Sequence, residues 1–287
     1  MISNRAFAIL REGAGHAVLA ASHWLRPGNG LPDGYRVLCL HGTAEWARGR
    51  LDLLLEKLDE NGGFVNARDF CDNEKVKGRF LLTFDDGYDN NAAFAERLAE
   101  RGISAIYFVV PSFVGRTTAE YLEFHRSRGV EPFVPVDALG SDRGLSGEGL
   151  NDITAMGHIV GAHNFAHRSL GSATPDEAIY EIDRGIESLE QTLGRKITEF
   201  ALAFGFSRDV NEAARNRLQE RGLRTYTCLR GWTERSGDSR LVHRTGLNPT
   251  HPWTTSLEFA IGRMDWATRN ERDAVEHLFG VSNDDEN

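Results

Sequence analysis

The chain has 287 residues, with 33 Lys and Arg against 42 Asp and Glu, hence a formal net charge of −9 at pH 7. That balance argues against a protein gripping nucleic acid through a basic patch or a bilayer through a polybasic clamp. A hydrophobic content of 40% argues against disorder, and the length suits one large α/β domain or two ordinary ones with an ample core.

Residues 1–35 read as an N-terminal helix, over 1–25, and a linker whose turn runs from Pro27 to Gly34. Arg5, Arg11 and Glu12 interrupt the first twenty residues, so no export signal is expected there. No apolar run approaches the roughly 18 residues of a membrane span. The expected setting is therefore a reducing cytoplasm, without stable membrane insertion. Cys39, Cys71 and Cys228 lack the spacing of a zinc knuckle or redox motif and read as free buried thiols.

From residue 36 the pattern becomes rhythmic. Arg36 to His41 is a short apolar run, a buried strand. Leu51, Leu54, Leu55 and Leu58 have helical spacing within 46–61. Further strands are expected at 79–84, 104–110, 158–162, 200–204, 225–229 and 241–244. Helices are expected at 91–101, 151–157, 174–193 and 210–221, several closed by Gly. Residues 116–150 read as a long loop with Tyr121, Phe124, Phe133 and Pro135, and 257–279 as a terminal helix pair around Trp266. Repeated strand–helix alternation means parallel βαβ units, either a doubly wound sheet or a barrel. Both architectures place chemistry at the C-terminal ends of strands.

Two clusters lie at such ends. Asp85 and Asp86 follow the strand Arg79–Phe84, and adjacent carboxylates repel unless something positive sits between them. His163 and His167 follow the strand 158–162, four residues apart, so both imidazoles can close on one ion. Asp86, His163 and His167 together make a two-histidine, one-carboxylate set that leaves coordination positions open. No phosphate loop or dinucleotide fingerprint accompanies them. A glycosidase using Asp85 and Asp86 fits badly, because neighbours on one turn can hardly flank a glycosidic bond.

Thr83-Phe84-Asp85-Asp86-Gly87 and the H-x-x-x-H stretch His163 to His167 resemble the motifs of polysaccharide deacetylases of the NodB-homology type, carbohydrate esterase family 4. The segments Phe200 to Gly205 and Leu241 to Arg244 sit where one branch carries its later motifs, so the resemblance spans roughly Val37 to Asn248. It implies an α/β fold, a deformed and partly open (β/α) barrel, over 36–250, with 251–287 a helical extension of the same domain. The activity implied is that of a metal-dependent carbohydrate N-deacetylase, an amide hydrolase acting on an N-acylated polysaccharide or a lipid- or nucleotide-linked sugar precursor. The cofactor implied is one divalent metal ion, with Zn²⁺ favoured, held by Asp86, His163 and His167. Asp85 is implied as the general base, and the backbone N–H of Leu202 as an oxyanion donor.

The chain departs from that pattern in ways that raise further expectations. Asn164 follows the first histidine, and Leu202 and Ala203 replace a Tyr and a Pro. Ala201 stands where many members carry the Arg that tethers the base; Arg244 is expected to replace it. No clear counterpart of the acid histidine exists, and His41, His125, His243 and His251 are the candidates. His41, Trp232 and Phe204 are expected to contact substrate. A deformylase of a formamido sugar, and a catalytically weakened carbohydrate-binding member, are the alternatives.

Overall fold

The computed structural model describes residues 34–72, 78–129, 141–233 and 240–281. The expected N-terminal helix, and Phe133 and Pro135, lie outside the described residues. Among the described residues eight strands carry the fold: β1 Arg36–Leu40, β2 Phe80–Phe84, β3 Ala105–Val109, β4 Ile159–Ala162, β5 Glu199–Ala201, β6 Arg224–Tyr226, β7 Leu241–Val242 and β8 Arg244–Gly246. They are ordered β7-β6-β5-β4-β3-β2-β1-β8, with every pairing parallel. The result is a nearly closed (β/α) barrel with one unsealed seam, between β7 and β8.

The helices between them are α1 Glu45–Glu60, α2 Ala67–Cys71, α3 Asn91–Glu100, α4 Thr118–Arg126, α5 Gly147–Ala155, α6 Pro175–Leu193, α7 Glu212–Glu220, α8 Trp253–Ala260 and α9 Arg269–Phe279. Helix α6 starts on a capping box, Thr174 with Glu177, and stops at Gly194, whose φ of 63° suits a residue without Cβ. The same reciprocal cap, Thr117 with Glu120, starts α4 inside what the sequence suggests is only a loop.

Strand alternation divides the core in two. Leu38, Leu40, Phe80, Leu82, Phe84, Tyr107 and Val109 face the helices. Val37, Leu81, Ile106, Phe108, Ala201, Tyr226 and Val242 meet one another inside the barrel. The period of two then puts Cys39, Thr83, Asp85 and Arg244 on the interior side as well. Gly161 is required here, since a Cβ would stand 2.7 Å from the Phe108 ring.

Three strands differ from the sequence reading. The run 241–244 is not one strand: Leu241 and Val242 pair with β6, whereas Arg244 to Gly246 pair with β1. Only His243 lies between them, so a single chain segment crosses the seam and delivers Arg244 there. The apolar runs 200–204 and 225–229 stop at Ala201 and Tyr226. Phe204 and Gly205 take positive φ values of 65° and 72° and turn the chain out of the sheet.

Candidate active site

Strand β2 runs directly into the acid pair. The Asp85 N–H still donates to the Leu40 carbonyl (2.8 Å), extending the β1–β2 ladder by one residue. The chain then turns through Asp86 (φ 73°) and Gly87 (φ 81°), and a Cβ on Gly87 would meet Val109 at 2.9 Å. That turn sends the two carboxylates to different partners.

Asp85 is saturated. Arg244 donates to it bidentately, Nη1 to Oδ1 at 2.6 Å and Nη2 to Oδ2 at 2.8 Å, and the Cys39 thiol donates to Oδ2 at 3.3 Å. Arg244 is itself aimed by three contacts. Its Nε donates to the Thr227 carbonyl (2.8 Å) and Nη1 to the Thr83 hydroxyl (3.2 Å), while Phe108 lies under the guanidinium at 5.0 Å. Burial alone would raise the Asp85 pKa, but the charge and hydrogen bonds of Arg244, with His163 beside it, hold the carboxyl well below the usual range.

Asp86 is the opposite case. Its Oδ1 is buried and accepts no hydrogen bond, although His167 Nε2 stands 3.3 Å away and His163 Nε2 3.7 Å away. His163 Nδ1 faces the Ala201 carbonyl at 2.9 Å, so the N–H sits on Nδ1 and the Nε2 lone pair points at the acid. Burial pushes the His167 pKa down to about 4 against the pull of Asp86, which leaves its ring neutral at pH 7. Ligand atoms of Asp86, His163 and His167 lie within 4.8 Å of one another. Two imidazole nitrogens and a buried carboxylate oxygen with no donor are the donor set of a divalent-cation site.

The loop carrying the histidines is strained and held from outside. Asn164 (φ 53°) and His167 (φ 50°) occupy the left-handed region, at roughly 1–3 kcal/mol each. Three contacts offset this. The Asn164 side chain donates to the Arg168 carbonyl, buried Glu181 on α6 accepts the Ala166 N–H at 2.7 Å, and the Tyr121 hydroxyl on α4 donates to the Ala166 carbonyl at 2.9 Å. Glu181 is absent from the sequence reading and Tyr121 enters it only as a residue of the 116–150 loop, since neither belongs to a motif. A buried Glu on the apolar face of α6 was the available signal.

The other expected residues separate. Phe204 reaches the site, its ring edge against His167 at 5.1 Å. His41 reaches it too, with a ring nitrogen inside the cluster of Cys39 and Asp85. Trp232 does not. It packs on Arg36 (5.4 Å) and Phe80 (6.5 Å), the first residues of β1 and β2, at the end of the barrel away from the acids. The segment after β6 has by then returned across the molecule, where Thr233 bridges to Tyr35. Nor is the Leu202 N–H free for an oxyanion, because it donates to the Tyr226 carbonyl at 2.9 Å and prolongs the β5–β6 ladder.

Three candidate acid histidines are engaged elsewhere. His243 lies between Thr227 and Glu276, at 2.9 Å from each. His251 contacts Phe259. His125 is buried beside the Ser112 hydroxyl (2.9 Å), its pKa pushed down to about 4 by burial and by Arg116, Arg128 and Arg168.

Residues 72–226 match the family described as polysaccharide deacetylase. Among solved structures the chain is similar to IcaB from Ammonifex degensii, at 22% identity and a TM-score of 0.60, covering 82% of this chain and 100% of that one. It is similar to the Streptococcus pyogenes deacetylase PplD in complex with acetate, at 17% identity and a TM-score of 0.59, covering 80% and 99%. It also resembles a de-N-acetylase from Aggregatibacter actinomycetemcomitans, at 14% identity and a TM-score of 0.60, covering 79% and 100%. At these identities the likeness is one of fold. No curated protein matches the chain.

Proposed function

The chain belongs to the polysaccharide deacetylase family, and from that premise we propose that it hydrolyses the N-acetyl group of an N-acylated saccharide. The substrate is a polysaccharide or a lipid- or nucleotide-linked sugar precursor. One observation carries the reading: an Arg-clamped carboxylate, Asp85, stands beside a second acid whose buried oxygen is presented to two imidazole nitrogens. Asp86, His163 and His167 are the residues that would hold a divalent ion, and their donor set favours Zn²⁺ by affinity. Bound there, the ion supplies Lewis acidity, polarising the amide carbonyl and acidifying water.

The chain's own residues do the rest. Asp85 orients the attacking water and accepts its proton at a carboxylate oxygen. A base held this acidic is weak on its own, so its main contribution is aim, and Arg244 fixes that aim. Water adds to the acyl carbon, the C–N bond breaks, and the departing nitrogen takes a proton, leaving acetate and a free amino sugar. His41, beside Asp85 and partly exposed, is the histidine placed to return that proton. Phe204, against His167, forms the apolar wall for the acyl methyl.

A second reading has one observation behind it. With the Leu202 N–H committed to Tyr226, one expected oxyanion donor is missing, and such a donor is typically worth about 10²–10³-fold in kcat. A catalytically weakened, saccharide-binding member fits that loss, and deformylation of a formamido sugar needs the same attack on a smaller acyl group. Acetate and formate release from N-acetylated and N-formylated oligosaccharides separates all three. Asp85→Asn is expected to lower turnover by roughly 10²–10⁴-fold while the bound ion stays. Loss of the ion in Asp85→Asn, matching its loss in Asp86→Asn, would overturn the assignment of roles.

A further inference from the structure

A cationic patch lies beside the histidine loop of a chain whose net charge is −9. Phe165 stands between His163 and His167 in the chain and carries a half-exposed ring. That ring meets Phe124 at 6.4 Å, the exposed Tyr180 at 5.9 Å and the Arg184 guanidinium at 5.8 Å. Arg116 and Arg128 lie over the Phe124 ring, at 4.3 and 3.9 Å. Two residues of chain span at most roughly 7 Å, so the patch begins immediately beside the histidines.

Its charge is not balanced by nearby acids. Glu177 pairs with Arg168 at 3.6 Å, Glu120 is tied into the cap of α4, and Glu181 accepts the Ala166 N–H. Among the described residues, no carboxylate stands at ion-pair distance from Arg116, Arg128 or Arg184. Arg116 and Arg128 are each anchored through Nη1, to the Ser112 and Phe124 carbonyls, both at 2.7 Å. That fixes the two side chains and leaves Nη2 and Nε of each for a ligand. The field reaches inward: after burial, Arg116, Arg128 and Arg168 are what push the His125 pKa down to about 4.

We propose that Arg116, Arg128 and Arg184 form an anion subsite that takes the diphosphate of a phosphate-linked N-acetyl sugar. This rests on the reading of the chain as a saccharide deacetylase and narrows its substrate to a sugar carried on a phosphate ester. A guanidinium fork matches phosphate oxygens in pairs. Three such forks without counter-charge exceed what one carboxylate balances and suit the charge of a diphosphate. The Phe165 and Tyr180 rings beside them offer apolar faces on which a sugar ring packs. A neutral polymer would leave all three charges unused. Because acids dominate the chain as a whole, attraction for such an anion is local to this patch.

The test is a calorimetric titration of the metal-stripped full chain with inorganic pyrophosphate, so that no bound ion can hold the phosphate. Binding is expected, weakening with added salt and by roughly tenfold in each of Arg116→Gln, Arg128→Gln and Arg184→Gln. Arg184 makes a ring contact and no printed backbone anchor, so Arg184→Gln serves where either other variant fails to fold. Arg50→Gln, on α1, should bind as the unaltered chain does. The metal-loaded enzyme should release acetate from uridine diphosphate N-acetylglucosamine, or from its polyprenyl diphosphate counterpart in detergent, at a lower KM than from neutral N-acetylchitotriose. Preference for either carrier upholds the proposal and tells a nucleotide from a lipid, and Arg184→Gln should erase most of that preference. Absent pyrophosphate binding, or binding that all three substitutions leave intact, overturns the subsite whichever sugar is deacetylated. Binding of phosphatidylglycerol vesicles but not of pyrophosphate would make the patch a membrane surface and overturns it equally. Arginine-dependent binding with equal KM for charged and neutral sugars overturns the phosphate-linked substrate. Arginine-dependent binding with no acetate released from any of them upholds the anion subsite and overturns the deacetylase reading.

Discussion

Asp85 and Asp86 are neighbours in the chain and opposites in their surroundings. Asp85 receives two guanidinium hydrogen bonds and a thiol. Asp86 is as deeply buried, yet its Oδ1 has no donor and faces two imidazole nitrogens. The first acid is finished by the protein and changes little when a ligand arrives. The second is left incomplete, because a buried carboxylate oxygen without a donor carries an uncompensated desolvation cost. Incompleteness on one side and saturation on the other is how one turn supplies both an ion ligand and a fixed proton acceptor.

Removing the incomplete side should have the largest effect on activity and the least on the apo fold. Replacing Asp86 with Asn, or both His163 and His167 with Ala, is expected to eliminate ion binding at that site and abolish acetate release. The apo Asp86→Asn protein should melt at or above the wild-type temperature, since a carboxylate whose buried Oδ1 has no donor has been replaced by an amide. Metal content and calorimetry check both halves. A strongly destabilised apo Asp86→Asn would show that Asp86 is structurally satisfied after all.

Breaking the saturated side should do the reverse to the fold. Arg244→Met leaves the Asp85 carboxylate buried and unpaired, at roughly 3–5 kcal/mol of stability. The pH dependence has a definite sign. The folded pKa of Asp85 lies below its unfolded value of about 3.9, so the pair stabilises the protein above about pH 4 and loses that contribution as pH falls through the folded pKa. Without Arg244 burial dominates and raises the Asp85 pKa, so the acidic limb of the pH–rate profile should move to higher pH. Acid unfolding and a pH series on the variant measure both shifts. An unmoved acidic limb would detach Arg244 from Asp85.

The contrast between the two acids was only half legible in the sequence. Period and position gave β1 to β4, the turn at Asp85–Gly87, and the histidine pair, because buried parallel strands are continuous apolar runs and site residues follow them. Arg244 was legible as a cation at a strand end, but its delivery across the seam was not. Leu241 to Arg244 shows no sign that pairing changes partner at His243, since parallel pairing is decided by strands far away in the chain. The Leu202 N–H was misread for a related reason: where β5 stops giving hydrogen bonds to β6 depends on the neighbour's length as much as on its own residues.

Trp232 gives the smallest expected effect on catalysis and sharpens the comparison from outside the site. An aromatic residue after a strand suggests a sugar-stacking shelf, yet its ring contacts Arg36 and Phe80, at the starts of β1 and β2. Arg36 is fully buried and tied to Asp265 by two hydrogen bonds of 2.8 and 2.6 Å, so the indole caps an ion pair that fastens the segment after α8 to the barrel floor. Trp232→Leu removes the cation–π contact, worth about 0.5–2 kcal/mol at a partly desolvated site, and part of the ring packing. The melting temperature should fall, while KM for an N-acetylated oligosaccharide and kcat per folded molecule stay within experimental error. A raised KM with an unchanged melting temperature would place the indole against substrate and reverse the assignment. Because the acids lie at the far end of the same strands, a stability loss here without a KM change shows that the two ends of the barrel are energetically separate, as additivity between distant, unshared contacts requires.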